Sequence, residues 1–193
     1  MGQESFKELR TSMEGFDGLV RRLVRCFNGS GLNYAFTGAL AVSFYGSPRT
    51  TSDVDVMVAV GGGGAVKAKV VEALRCVGLE VQERSLDDAL ESGYNIATFR
   101  DLVSPYTIDV ILSLGELDRR SGRIGGLDTF LQEPEGLILS KLRMIKATLP
   151  RERAAKDEMD VRSVLAFTRV DLEAIRVRAE QDSTLEILEG LVS

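Results

Sequence analysis

Two carboxylates one residue apart, Asp53 and Asp55, stand in an alternating run with Val54, Val56 and Val58. Alternation is the period of a β-strand, so both acid side chains leave the same face. Such a pair suits a hard, oxygen-loving ion such as Mg2+, which takes one or two carboxylates and fills its remaining positions with water and phosphate. A third acid, Asp109, lies inside the apolar stretch Tyr106–Leu112. A charge there is costly unless it is paired, coordinated or on the open face of the sheet. A strand that brings Asp109 beside the pair would complete a carboxylate site for two metal ions, with Mn2+ as the natural substitute for Mg2+. Such a site activates an attacking oxygen and stabilises a leaving phosphate. The plainer alternative is three solvated acids on strand edges.

The residues ahead of the pair fit phosphate. Gly38 closes a short apolar strand and opens a helical pattern, and the free N–H groups of a helix start attract anions. The loop Gly46-Ser47-Pro48-Arg49-Thr50-Thr51-Ser52 then supplies hydroxyls and a guanidinium able to clamp a phosphate. The 193 residues contain no His. That excludes a Ser-His-Asp or Cys-His system, a His-ligated zinc and an imidazole base. Any catalysis must then run on carboxylates, Lys, Arg, Tyr, hydroxyls or a metal held by oxygen atoms. With 24 basic and 29 acidic residues and a net charge of −5, a globally basic nucleic-acid binder is disfavoured. The arginine groups Arg21, Arg22, Arg25 and Arg119, Arg120, Arg123 read as solvated faces. Gly61–Gly64 lacks the Lys-Ser/Thr of a Walker A loop and reads as a strand-to-helix turn at the rim of the site.

The order Thr37-Gly38-Ala39, a thirteen-residue gap, then Asp53-Val54-Asp55-Val56 resembles the signature of the polymerase-beta-like nucleotidyltransferase superfamily. There a Gly-Gly or Gly-Ser pair precedes an acid-bearing strand, and a later strand adds a third acid. Gly46–Asp55 is especially similar to the abortive-infection type nucleotidyltransferases, many encoded in toxin–antitoxin pairs. In that branch a helical C-terminal region carries Lys and Asp residues, which Glu135–Leu142 and Lys156–Val161 resemble. The likeness spans about Tyr34 to Leu165. It implies Mg2+-dependent transfer of a nucleoside monophosphate from an NTP to an acceptor hydroxyl, on an RNA end, a protein or a small molecule, with pyrophosphate release. Asp53, Asp55 and Asp109 would be the catalytic metal ligands, and Asp109 would take the acceptor proton. Gly38, Ala39, Ser47, Arg49 and Thr50 would bind nucleotide, with Lys141 balancing triphosphate charge. Asp157 and Asp160 rank below these. Ala39 departs from the family, which has Gly or Ser there; the lost hydroxyl weakens the phosphate grip or shifts it to Ser43, Ser47 or backbone N–H groups. The alternative is a catalytically weakened nucleotide-binding or partner-binding module, with a cognate protein as partner.

The elements that must position these residues follow from hydrophobic period. Phe6, Leu9, Met13, Phe16, Val20, Leu23, Val24 and Phe27 mark an N-terminal helix, weakened at Gly15 and Gly18, where Asp17 could cap a second one. Strands are expected at Tyr34–Thr37, from Asp53, and at Leu79–Gln82, Tyr94–Phe99 and Tyr106–Leu112, with helices at Ala39–Tyr45 and Ala65–Val77. Asp118–Gly126 reads as a polar linker. Helices follow at Pro134–Ala147, Arg151–Phe167, Asp171–Ala179 and Ser183–Leu191, the last with a Ser183…Glu186 capping box. Lys141 falls in an apolar stripe of Leu137, Ile138, Met144 and Ile145, so it either snorkels to solvent or meets an anion in a cleft. Asp157 and Asp160 extend the Val161, Val164, Leu165 stripe, where they could ligate, act as acid or base, or pair with Lys141 or Arg143. The fold class is α/β: a small mixed-sheet core (31–117) with an N-terminal helical segment (1–30) and a C-terminal helical bundle (127–193). Cys26 and Cys76 read as two separate thiols of a reducing cytosol. With no signal peptide or membrane-spanning run, a cytoplasmic protein without a membrane partner is expected.

Overall fold

In the computed structural model residues 15–61, 63–82 and 84–192 are described. The expected helical positions Phe6, Leu9 and Met13 lie outside them. In chain order the elements are α1 (Phe16–Ser30), β1 (Tyr34–Phe36), α2 (Gly38–Tyr45), β2 (Asp53–Ala59), α3 (Gly64–Val77) and β3 (Leu79–Glu80). Then come α4 (Arg84–Glu91), β4 (Ile96–Asp101), β5 (Thr107–Ser113), β6 (Arg119–Ile124) and β7 (Leu127–Gln132). Four helices end the chain: α5 (Pro134–Ala147), α6 (Ala155–Phe167, after a 3-10 turn at Arg151–Ala154), α7 (Leu172–Gln181) and α8 (Leu185–Val192). The architecture is α/β, with a mixed sheet, an N-terminal helix and C-terminal helices.

The chain divides into two compact units. The first comprises residues 1–36 and 51–131 and is built on a seven-stranded sheet of order β3-β4-β5-β2-β1-β7-β6. β2 runs parallel to β5 and antiparallel to β1, and β4 runs antiparallel to β5. One face of β2 and β5 is closed by Val54, Val56, Val58, Ile108, Val110 and Leu112, all at most 3% exposed. A one-residue slip of either strand would put its acids into that core, so burial of these residues fixes the register. α1 buries Leu19, Val20, Leu23, Val24 and Phe27 at helical spacing and reaches the sheet through ring contacts of Phe16 with Tyr106 and Phe27 with Tyr34. The second unit, residues 37–50 and 132–193, packs α2 with α5 to α8 around Leu137, Ile138, Leu142, Val161, Val164, Ile175 and Leu188.

Several elements differ from the sequence expectation, each for a local reason. The stretch read as a linker contains β6, a polar edge strand held by Arg119. Its guanidinium lies 3.8 Å from the centroid of the Phe130 ring and donates to the Tyr34 carbonyl. With β7 it forms a hairpin across Gly125-Gly126, so periodicity was hidden by strand faces that are both partly wet. α4 was absent from the sequence reading because only Leu86 and Ala89 of its residues are buried. Gly15, rather than Asp17, is the N-cap of α1, and Asp17 sits in its first turn. Ser183 has a positive φ of 54°, which excludes the expected capping box; α8 begins two residues later, after Thr184. The cysteines are corrected too: Cys26 of α1 and Cys76 of α3 form a disulfide, with Cα atoms 5.9 Å apart and a sequence separation of 50. Arg22 is no solvated cation, since it grips the buried Asp101 carboxylate through two 2.7 Å bonds and donates to the Val77 carbonyl. Among the described residues no helix is long and apolar enough to cross a membrane.

Candidate functional site

In the first unit, β2 alternates half-buried and buried residues along its whole length, and β5 does the same. The parallel pairing puts Asp55 directly opposite Asp109, and Asp53 opposite Thr107. Neighbouring strands lie about 4.8 Å apart, so three carboxylates share one patch of the sheet's open face. Thr98, opposite Asp109 on β4, donates to Asp109 Oδ1 at 2.6 Å. The Thr51 hydroxyl donates to Asp53 Oδ1 at the mouth of β2. Asp53 and Asp109 therefore bond to neutral hydroxyls, which orient a carboxylate without cancelling its charge. Sequence reasoning missed both threonines. Thr51 was seen only as a loop hydroxyl, and Thr98 becomes visible only once the β4–β5 register is known.

The donor set suits a hard cation: three anionic oxygen ligands, no thiol and no imidazole. Among the described residues, however, no three acidic side chains converge closely enough to hold one ion. The residues fit the lesser demand of Mg2+, which needs one or two carboxylates and completes its shell with water and phosphate. Asp55 and Asp109, directly in register, are the pair that meets it, and Asp53 stands one step along the same face.

In the second unit, Gly38 has a φ of 55°, a left-handed backbone that favours glycine, and Ala39 behind it is buried. Thr37 is the N-cap of α2 but makes no capping bond; its hydroxyl donates instead to Gln132 Oε1. Thr37 thus caps none of the first N–H groups of α2, and free N–H groups at a helix start take an anion. The loop that follows is held from one side. A Cβ at Gly46 would collide with the Ser163 hydroxyl, and the Ser47 amide donates to that same oxygen at 2.6 Å. Ser47 and Thr50 are exposed.

Arg49 and Lys141 are occupied. Arg49 makes a two-pronged contact with Asp160, Nε to Oδ1 at 2.8 Å and an Nη to Oδ2 at 3.0 Å. Lys141 is 7% exposed and lies 2.7 Å from Asp157 Oδ1 and 2.9 Å from Asp160 Oδ2. Burial pulls the Lys141 ammonium toward neutrality, but the bonds it donates to Asp157 and Asp160 outweigh this and hold its pKa above the ordinary value. Of the readings open for this lysine, the structure selects the anion: the anions are Asp157 and Asp160. Two cations and two carboxylates thus balance inside the helical unit.

Comparison with known proteins agrees with this arrangement of elements. No protein-family model matches the sequence, and no curated protein matches it. Solved structures do match. The solution structure of the antibiotic-resistance factor ANT(2'')-Ia is 16% identical, covers 90% of this chain and 95% of its own, and has a TM-score of 0.65. This is the nucleotidyltransferase fold. A crystal structure of ANT(2'')-Ia in complex with adenylyl-2''-tobramycin matches with a TM-score of 0.64 at 14% identity, over 87% of this chain and 97% of its own. An antigenic nucleotidyltransferase-like protein from Paracoccidioides brasiliensis matches with a TM-score of 0.55 at 16% identity, over 88% and 91%.

Proposed function

We propose that the chain is a nucleotidyltransferase that moves a nucleoside monophosphate from an NTP to an acceptor hydroxyl. The observation that carries this reading is the register of Asp55 with Asp109, on the same open face as Asp53, in a nucleotidyltransferase fold. Asp55 and Asp109 would hold Mg2+, with Asp53 one step along the same face, and the ion would supply positive charge for the phosphates and lower the pKa of an oxygen bound to it. The acceptor oxygen attacks the α-phosphorus, its proton passes to an Asp109 carboxylate oxygen, and the bond from that phosphorus to the departing pyrophosphate breaks. Thr98 fixes Asp109 for this transfer, and Thr51 fixes Asp53. Within the second unit taken by itself, the start of α2 at Gly38 and Ala39 is suited to phosphate oxygens. Ser47 and Thr50 add exposed hydroxyls. Arg49 and Lys141, each bound to carboxylates, are assigned to holding the helical unit together.

The acceptor is a small molecule, an RNA end or a protein hydroxyl. Adenylyl-2''-tobramycin, the compound bound in the neighbouring structure, supports the first of these. The likeness of Gly46–Asp55 to abortive-infection type enzymes supports a toxin–antitoxin context with a cognate protein. A weakened, binding-only module is the second reading, favoured by the missing hydroxyl at the buried Ala39 and by the absence of a preassembled three-acid cluster among the described residues. Incubation with each α-labelled NTP and Mg2+ separates the two. An enzyme releases pyrophosphate and loses that release in Asp53→Ala; a binder retains NTP affinity and releases none. Undiminished release in Asp53→Ala would overturn the metal-site assignment.

A further inference from the structure

The acid face continues beyond the three aspartates. Strands β3, β4, β5 and β2 stand in register, so Glu80, Arg100, Thr107 and Asp53 form one row across four strands. Thr98, Asp109 and Asp55 form the next row. At the β3–β4 end of these rows lies a polar cavity of about 460 Å3, lined by Glu80, Gln82, Ser85, Thr98, Arg100 and Thr107. That volume is in the ordinary range of small-molecule sites. Thr98 belongs to both places, since it lines the cavity and donates to Asp109. Among the described residues neither the Glu80 carboxylate nor the Arg100 guanidinium has a hydrogen-bond or ion-pair partner.

Two opposite charges without partners therefore stand one strand spacing apart, ringed by an amide and three hydroxyls. A cross-strand ion pair between exposed side chains is worth little in water, so a ligand carrying both charges gains two partners at small cost. A ligand with one charge leaves the other unmatched. Among the described residues, a polyanion such as an RNA end would face Asp53, Asp55, Asp109 and Glu80 against one lining cation, and a polycation would set its charge against Arg100.

We propose that this cavity is the acceptor pocket and that its acceptor is a small zwitterionic polyol. Its ammonium meets Glu80, its acidic group meets Arg100, and its hydroxyls bond Gln82, Ser85 and Thr107. The reacting hydroxyl extends past Thr98 to Asp109. The transfer rests on the nucleotidyltransferase reading above; the binding does not. In the transfer the acceptor oxygen gains the α-phosphorus of the NTP, its proton goes to Asp109, and pyrophosphate leaves with the electrons of the broken bond.

Four six-carbon probes test the pocket without turnover: D-glucosaminate carries both charges, D-glucosamine one positive, D-gluconate one negative, and D-sorbitol none. Ligand-observed NMR on the full chain should show glucosaminate binding at least tenfold more tightly than the other three. Glu80→Gln should erase its advantage over gluconate, and Arg100→Gln its advantage over glucosamine; both residues are exposed, and circular dichroism checks that each variant folds. Equal binding of all four, no binding of any, or a ranking that neither substitution changes overturns the proposal. So does a preference for tobramycin or for a short RNA oligonucleotide. If the ranking holds while no NTP is consumed with any acceptor, the pocket stands and the transferase reading falls. If NTP consumption requires Asp55 but the ranking ignores Glu80 and Arg100, the transferase reading stands and the pocket falls.

Discussion

The aspartates of the two units have different partners, and on the proposed reading they do different work. On the sheet, Asp53 and Asp109 are half-buried and bonded to threonine hydroxyls, so their negative charge remains available. In the helical unit, Asp157 and Asp160 are closed in with Arg49 and Lys141 and their charge is cancelled. Burying ions is expensive, and a balanced quartet recovers that cost without leaving charge for a ligand. A carboxylate on an open face oriented by neutral donors is the arrangement suited to metal and phosphate chemistry. On the proposed reading the same residue type serves chemistry in one unit and scaffold in the other.

The largest effect is expected from Asp55→Asn, which should lower the rate of NTP consumption about 10^3-fold while leaving thermal unfolding nearly unchanged. An equal loss of rate and stability would erase the contrast between the two regions. Asp160→Asn should do the opposite in kind. It strips a partner from both Arg49 and Lys141 and should cost about 3 kcal/mol of stability in denaturant unfolding; a change below about 0.5 kcal/mol would show that the quartet is not structural.

How far the sequence could go differs along the same line. Asp53, Asp55 and Asp109 were legible because strand alternation fixes which face a residue leaves, and an acid inside Tyr106–Leu112 is conspicuous. The covering helix α1 and the helices α5 to α7 were legible from apolar spacing. Thr98 and the Glu80–Arg100 pair were not, since their significance depends on which strands are neighbours, and β3 with two residues carries almost no periodicity. Lys141 was recognised as a lysine in an apolar stripe, but its partners lie on the next helix, beyond any local pattern. β6 escaped because an edge strand wet on both faces has no alternation to read.

Smaller effects sharpen the contrast. Replacing Cys26 and Cys76 with Ser should cost about 2–4 kcal/mol, from the freedom regained by the unfolded chain, without changing the Mg2+ requirement. Unchanged stability would contradict the α1–α3 linkage. Thr98→Val should lower the rate about 10–100-fold, with Thr98→Ser restoring most of it; failure of the serine to rescue would show that shape rather than the bond to Asp109 matters. The smallest effect is one of pH. Because the folded Lys141 pKa is raised, its stabilising contribution is complete below the ordinary lysine value of 10.5 and is lost as pH rises through the higher folded value. The stability difference between the wild type and Lys141→Met should be flat from neutral pH to about 9.5 and shrink only above 10.5. A decline near neutrality would point to a different titrating group.

The most direct test of the division of labour is Mn2+ binding, followed by electron paramagnetic resonance in the presence of the non-hydrolysable α,β-methylene analogue of ATP. Wild type and Asp157→Asn should bind the ion alike, and Asp55→Asn should lose it. Binding that survives Asp55→Asn, or that disappears with Asp157→Asn, would contradict the assignment of chemistry to the open sheet face.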